Sequence, residues 1–158
     1  MNEQSLYDRY HVSPLLKKIV DGIAMSGNTN APFQVHLQNL NGSSPVFVLQ
    51  HIFTHPQTST YNHVIVLNDA EEAAYFYNSI ESITGAMDLF YFPSSFKTSQ
   101  NFNLLNPSHV MLRTEALTKL SMGGNKKIVV TYPEAFFEKV IMPKTMQENI
   151  IQIKTNDT

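Results

Sequence analysis

Hydrophobic and polar positions alternate along the chain with two periods, one typical of helices and one typical of strands. Apolar residues three and four positions apart predict helices at 13–28, 46–53, 70–83, 107–120 and 134–140. Shorter apolar runs predict strands at 33–40, 64–67, 89–92, 128–130 and 150–153. Because strands and helices follow one another in turn, this order predicts an α/β fold with a mainly parallel sheet and helices on both faces.

Residues at the predicted boundaries support this division. Pro14 lies in the first turn of the first helix, where a missing amide hydrogen is tolerated. Pro56 closes the second helix. Asp69 is an N-cap for the third helix, and Glu71 and Glu72 suit the positive end of that helix. The acidic residues after the second strand are therefore predicted to have a capping role.

The segment between the first strand and the second helix has the outline of a phosphate-binding loop. Its strand-loop-helix context is the one in which the pattern G-x-x-x-x-G-K-[ST] binds phosphate. The candidate residues are Asn39, Gly42, Ser43, Ser44, Pro45 and Val46.

The residues at the functional positions of that pattern have lost its chemistry. Asn39 and Ser44 replace the two glycines, Pro45 replaces the lysine, and Val46 replaces the hydroxyl residue that would bind magnesium. Pro45 also removes a backbone amide donor. We therefore predict a degenerate P-loop with no catalytic, cofactor-binding or metal-binding residue. An ordinary strand-to-helix turn is the alternative interpretation of this loop.

The distribution of charge agrees with the loss of phosphate binding. Between Ile19 and Phe96 the chain has six carboxylates and no lysine or arginine, so no cation in this window could replace the missing lysine. The whole chain has a formal net charge of −2. It therefore lacks the basic surface that is expected of an autonomous nucleic-acid-binding protein.

Two other patterns could support chemistry but are incomplete. His51 and His55 are four residues apart, yet no third metal ligand is evident, and we expect both to be ordinary surface histidines. Ser43 and Ser44 lack the G-x-S-x-G context of a nucleophile. Hydrolase chemistry is not predicted.

Length and composition set the remaining bounds. A chain of 158 residues fits one domain that buries about 70% of its unfolded surface. It contains no cysteine, which suits a reducing compartment. The chain has no apolar run approaching the ~20 residues of a membrane span and no leader at its start. We therefore expect a cytoplasmic protein without a membrane partner.

Five blocks of the chain match one family in order and spacing. They lie at 42–43, 64–73, 92–96, 112–117 and 129–135. The resemblance extends over residues 6–154 of the chain. In these blocks the chain resembles the amino-terminal, UvrB-like module of bacterial transcription-repair coupling factor (Mfd). The resemblance implies a RecA-like fold, the first subdomain of that module, in which the P-loop is degenerate as it is here.

The resemblance also implies a domain organisation. Residues 1–158 would form a single α/β domain that is a fragment of a larger multidomain protein. Residues 1–31 would be an N-terminal helix and linker, and residues 32–154 the RecA-like core.

The function implied by the resemblance is non-catalytic. The parent family removes stalled RNA polymerase from damaged DNA with a separate, downstream ATP-driven translocase, and recruits UvrA for nucleotide excision repair. The partners implied for this chain are the second UvrB-like subdomain and the motor domains of its parent, and UvrA through the following domain. RNA polymerase and DNA would be reached only through other domains, in the bacterial cytoplasm. The alternative is a P-loop domain of a helicase-like ATPase that retains affinity for ATP.

Overall fold

The computed structural model describes residues 10, 12–29, 32–84, 88–96, 104–124 and 126–148. In these ranges the helices are α1 (Pro14–Thr29), α2 (Ser44–Thr54), α3 (Ala70–Thr84), α4 (Pro107–Ser121), α5 (Pro133–Phe136) and α6 (Pro143–Glu148). The strands are β1 (His63–Val66), β2 (Leu89–Tyr91) and β3 (Ile128–Thr131). No helix in these ranges is long and apolar enough to cross a membrane.

The strands form one parallel sheet in the order β1-β3-β2. In the register of the sheet, Val129 of β3 lies beside Val64 of β1 and Phe90 of β2. All four residues of the central strand β3 are buried, as expected of a parallel strand that is covered on both faces. The predicted α/β class is therefore confirmed, in the form of a three-stranded parallel sheet with helices.

Alternate residues of β3 point into two separate cores. Ile128 and Val130 belong to the larger core, together with side chains from α2 and α3. Val129 points to the opposite face, where it packs with Phe90 and with Ala116 of α4. Helices therefore cover both faces of the sheet, as the sequence predicts.

The first helix packs against the second rather than standing apart from the domain. Leu16 and Ile19 of α1 form a buried cluster with Val48 of α2. The aromatic ring of Phe33 lies over Gly22 of α1, where a Cβ atom would have no room. The helix α1 is therefore joined to the body of the domain by apolar contacts.

The predicted strand at 33–40 is wrong, because these residues form no strand in the structure. All residues from Pro32 to Asn39 are exposed, and no backbone hydrogen bond joins 33–40 to another described residue. Alternation is a local property of the sequence, whereas a strand also needs an adjacent strand with which to exchange hydrogen bonds. The strand predicted at 150–153 lies outside the described residues.

Most other boundaries agree with the predictions within one or two residues, but the helix predicted at 134–140 is too long. It ends at Phe136, and the chain then leaves the helical path so that Glu138 contacts Ser94 and Ser95 after β2. The short helix α6 was not predicted.

Candidate functional site

The segment predicted to be a degenerate P-loop forms a closed turn at the start of α2. The amide of Ser44 donates to the Asn41 carbonyl at 3.2 Å, and the amide of Val46 donates to the Ser43 carbonyl at 3.1 Å. The hydroxyl of Ser44 also donates to the Asn41 carbonyl, at 2.6 Å. These donors are therefore used within the turn, and Pro45 has no amide hydrogen to add.

The backbone of this turn explains where its unusual residues lie. Asn39 and Gly42 have positive φ angles of 62° and 59°, a region that asparagine and glycine tolerate best. Ser43 is the N-cap residue of α2 but makes no side-chain capping bond. A phosphate-binding loop needs several amides that point at one anion, and two amides of this turn already have backbone acceptors.

A second region of interest is the edge of the sheet at the carboxyl ends of its strands, where open α/β sheets commonly bind ligands. After β1, Asp69 accepts a hydrogen bond from the Glu72 amide at 2.8 Å. The Glu72 carboxylate in turn accepts from the Asn68 amide at 3.0 Å and from the Asn68 side chain at 2.7 Å. This arrangement differs from a capping box in that the Glu72 carboxylate bonds to the residue before the N-cap and not to the N-cap amide. The predicted capping role of Asp69 is confirmed by its bond with the Glu72 amide.

After β2, the chain is held by a carboxylate and a phenol. Glu138 accepts hydrogen bonds from the Ser94 hydroxyl at 3.0 Å and the Ser95 amide at 2.9 Å. Tyr132 accepts from the Ser94 amide at 2.8 Å. Burial by itself raises the pKa of Glu138, but the hydrogen bonds from Ser95 and Ser94 and the charge of Arg113 together lower its pKa below the ordinary value.

The guanidinium of Arg113 joins the loops that follow β2 and β3. Its side chain is only 4% exposed, and Nη1 donates to the carbonyls of Pro93 at 2.8 Å and Ala135 at 3.0 Å. Its Nε lies 3.5 Å from the Glu138 carboxylate, and the group stacks 4.0 Å from the centre of the Phe92 ring. Burial lowers the pKa of Arg113, an effect that the Glu138 charge opposes. Arg113 therefore serves as an internal connection between these loops.

Sequence reasoning missed the pair Arg113 and Glu138. A signal was present for the arginine, because position 113 lies three residues after Val110 and four before Leu117, which places it on the same helical face as these two apolar residues. No comparable signal marks Glu138, since its partners are 25 or more residues away along the chain.

Ser94 and His109 do not form a pair of nucleophile and general base. The Ser94 hydroxyl donates to Glu138, whereas His109 Nδ1 lies 2.9 Å from the Ser94 backbone carbonyl. A serine nucleophile would need its hydroxyl within hydrogen-bond reach of the base. The contact between Ser94 and His109 therefore fixes the loop and does not activate the serine.

The expectation that His51 lies at the surface is wrong. Its side chain is 3% exposed, and its ring centre lies 5.7 Å from that of His55 at the end of α2. His51 is buried because α2 packs between α1 and α3, and this tertiary contact cannot be read from the sequence.

In the described part of the chain no group of three or more His, Asp or Glu side chains could hold a metal ion.

Lowering the pH below about 6.5 is expected to destabilise the protein through His63. Burial lowers the pKa of His63 below its ordinary value of 6.5, and a backbone hydrogen bond with Thr58 opposes this shift only in part. Between pH 6.5 and the lowered pKa of the folded protein, His63 is protonated in the unfolded chain but not in the folded chain. The free energy of unfolding therefore falls as the pH is lowered through this range. Urea denaturation of the wild type and of His63→Phe between pH 7.5 and about 5 measures this.

The variant His63→Phe should show a shallower loss of stability over that pH range, because the phenylalanine ring cannot be protonated. Identical pH profiles for wild type and His63→Phe would contradict the assignment.

Two regions thus remain as candidates, the turn at 39–46 and the carboxyl edge of the sheet. In the turn, two amide donors are already bound to backbone carbonyls. At the edge, Arg113 and Glu138 bind each other and the loops around them.

Comparison of the chain with protein-family models, curated proteins and solved structures gives no match.

Proposed function

We propose that this chain is a non-catalytic, UvrB-like module of a bacterial transcription-repair coupling factor. Its role is that of a scaffold and interaction domain within a protein that removes stalled RNA polymerase at DNA lesions and recruits UvrA for nucleotide excision repair. The observation that supports a non-catalytic role most directly is the closed turn at 41–46, in which the amides of Ser44 and Val46 and the hydroxyl of Ser44 donate to carbonyls of the same turn. The five sequence blocks support the choice of family.

The RecA-like fold is part of the proposal. A parallel sheet with helices on both faces is compatible with it. Two of the five matched blocks include strands of that sheet, β1 and β3, and continue into the loops at its carboxyl edge. In a working motor those loops place cations and amides against phosphate. Here the loop after β1 uses Asp69 and Glu72 to cap α3, which suits a module that does not act on DNA itself.

The proposal assigns the partners to different parts of the parent protein. This module contacts the second UvrB-like subdomain and the motor domains, and UvrA is bound through the following domain. RNA polymerase and DNA are contacted by other domains. The location is the bacterial cytoplasm.

The chain is expected neither to bind nor to hydrolyse ATP. Calorimetric titration with ATP and magnesium should give no binding heat, and phosphate release should equal that of buffer. The variant Pro45→Lys should also remain inactive, because a single cation does not restore the second glycine, the hydroxyl or the carboxylate that a magnesium-phosphate site needs.

A magnesium-dependent binding site of micromolar affinity would instead favour the alternative, a helicase-like domain that retains affinity for ATP. Measurable turnover by Pro45→Lys alone would mean that the turn at 39–46 is not a degenerate P-loop. The matched control for the variant is Pro56→Lys, which adds the same charge after the end of α2 instead of in its first turn.

The chain by itself is expected to bind UvrA weakly, at least about 100-fold less tightly than a protein that also includes the following domain of the family, a difference of roughly 3 kcal/mol. Co-purification and calorimetry with purified UvrA measure this. Equal affinity of the two proteins would place the contact within these 158 residues, most directly on the exposed acidic surface at Asp69 and Glu72. That result would overturn the assignment of UvrA binding to the following domain.

A further inference from the structure

β1 is an edge strand within the residues that the structure describes, because no strand in these ranges pairs with its outer side. The amides of His63 and Leu67 donate to the carbonyls of Lys127 and Thr131 on its inner side, at 2.7 Å and 2.9 Å. Backbone groups alternate in direction along a parallel strand, so those of Val64 and Val66 point away from the sheet. The side chains of Val64 and Val66 are 57% and 51% exposed.

A second segment of the chain has the alternation of a strand but lies in no sheet. Residues 33–38 alternate apolar and polar side chains, and all of them are exposed. Phe33, Val35 and Leu37 are 42%, 51% and 41% exposed. No backbone hydrogen bond joins this segment to another residue in the part of the chain that is described. Among the described residues, the backbone groups of 33–38 are therefore open to a further strand.

Charge indicates what kind of partner these two elements can take. From Gly22 to Asn68 the chain has no Asp, Glu, Lys or Arg, so both elements are formally neutral at pH 7. Natural proteins usually protect an exposed sheet edge with charged side chains, proline or a covering loop. β1 has neither a charge nor a proline. A highly charged partner would find no counter-charge here, whereas a neutral segment with alternating apolar residues would fit.

A second copy of the chain supplies such a segment. Within one copy, the ring of Phe33 lies over Gly22 of α1, and Leu40 packs against the cluster between α1 and α2. Phe33, the first residue of the segment, and Leu40, two residues after its end, are therefore held against the helices of their own copy. The residues between them are exposed. This arrangement presents the middle of the segment to another molecule.

We propose that the chain forms a dimer in which residues 33–38 of one copy add as a strand to the outer edge of β1 in the other. The backbone groups of Val64 and Val66 would exchange hydrogen bonds with the added segment, and Val35 and Leu37 would lie beside the two valines. A two-fold axis makes the contact twice and closes the assembly. This contact concerns the chain itself and does not depend on the proposed role in repair.

The test is the oligomeric state of the full chain, measured by sedimentation equilibrium over a range of concentrations. The wild type should show a reversible dimer. Val35→Lys and Val66→Lys should each raise the dimer dissociation constant about tenfold or more, equivalent to at least about 1.4 kcal/mol. Met25→Lys and Met111→Lys are the matched controls, because these side chains are 67% and 73% exposed elsewhere on the surface and should leave the dissociation constant unchanged.

Mixing the two variants distinguishes this contact from other ways of pairing. Val35→Lys keeps an intact β1, and Val66→Lys keeps an intact segment, so an equimolar mixture contains one complete contact per heterodimer. The mixture should therefore dimerise more strongly than either variant by itself. Pairing of β1 with β1, or of segment with segment, predicts no such recovery.

Thermal unfolding followed by circular dichroism confirms that each variant is folded. Val35 lies outside the sheet, so Val35→Lys should melt as the wild type does even if Val66→Lys is destabilised. A wild type that is monomeric at every concentration up to its solubility limit would overturn the proposal. A dimer that survives both substitutions, or a mixture that shows no recovery, would overturn it as well.

Discussion

The variant Val129→Asp should fail to fold. Val129 is 5% exposed on the central strand β3, and its side chain packs with Phe90, Phe92 and Ala116 beneath α4. The side chains that pack on Val129 are apolar, so a carboxylate there would lose its water at a cost of several kcal/mol. A domain of this size has a total stability of about 5–15 kcal/mol. Circular dichroism and urea denaturation at pH 7 are the measurements.

The matched control is Val64→Asp, because Val64 lies directly beside Val129 in the sheet register but is 57% exposed. This variant should fold cooperatively and lose roughly 1 kcal/mol or less, mainly through lower strand propensity. A cooperative, wild-type melting curve for Val129→Asp would contradict the position of β3 at the centre of the sheet.

The variant Arg113→Met should lose about 3–5 kcal/mol of stability, the usual cost of removing one partner from a buried ion pair. The carbonyls of Pro93 and Ala135 would lose their donor, and the Glu138 carboxylate would lose its nearby cation. Urea denaturation at pH 7 measures the loss. Lys119→Met removes a positive charge from an exposed position on the same helix and should change stability by less than about 0.5 kcal/mol.

A double variant separates the roles of the two charges. Glu138→Gln removes the carboxylate that Arg113→Met would leave without its cation. The double variant should therefore lose less free energy of unfolding than the sum of the losses in the two single variants. Strict additivity would mean that Arg113 acts only through the carbonyls of Pro93 and Ala135. An Arg113→Met variant as stable as wild type would show that the loops after β2 and β3 do not need the connection.

Much of the fold follows from local features of the sequence. The strands β1, β2 and β3 appear within one residue of the continuous apolar runs that predict them. For β3 the reason is that side chains buried on both faces must be apolar. The helix α3 begins where Asp69 accepts from the Glu72 amide and the Glu72 carboxylate accepts from the Asn68 amide, which are contacts between residues three and four positions apart. Such signals lie within one or two turns of chain and can be read without any knowledge of tertiary contacts.

Alternation at 33–40 was equally clear, yet the structure has no strand there. A period of two says which side chains share a face, but it does not say whether another strand is within hydrogen-bonding distance. The same limit applies to the loop at 39–46. Its residue types predicted the loss of phosphate chemistry, whereas the closure of Ser44 and Val46 onto neighbouring carbonyls became visible only in the turn itself.

The sequence by itself therefore determined the α/β class, the positions of β1, β2 and β3 and of the helices α1 to α4, the capping of α3 by Asp69, and the lack of lysine and arginine between Ile19 and Phe96. Only the tertiary structure decided that His51 is buried, that β1 lies at an edge of the sheet formed by the described residues, and that Arg113 joins Glu138 across 25 residues of chain. The physical reason is the range of the interactions. Periodicity and capping act between residues a few positions apart, while strand pairing and the burial of a charge depend on which distant segments meet.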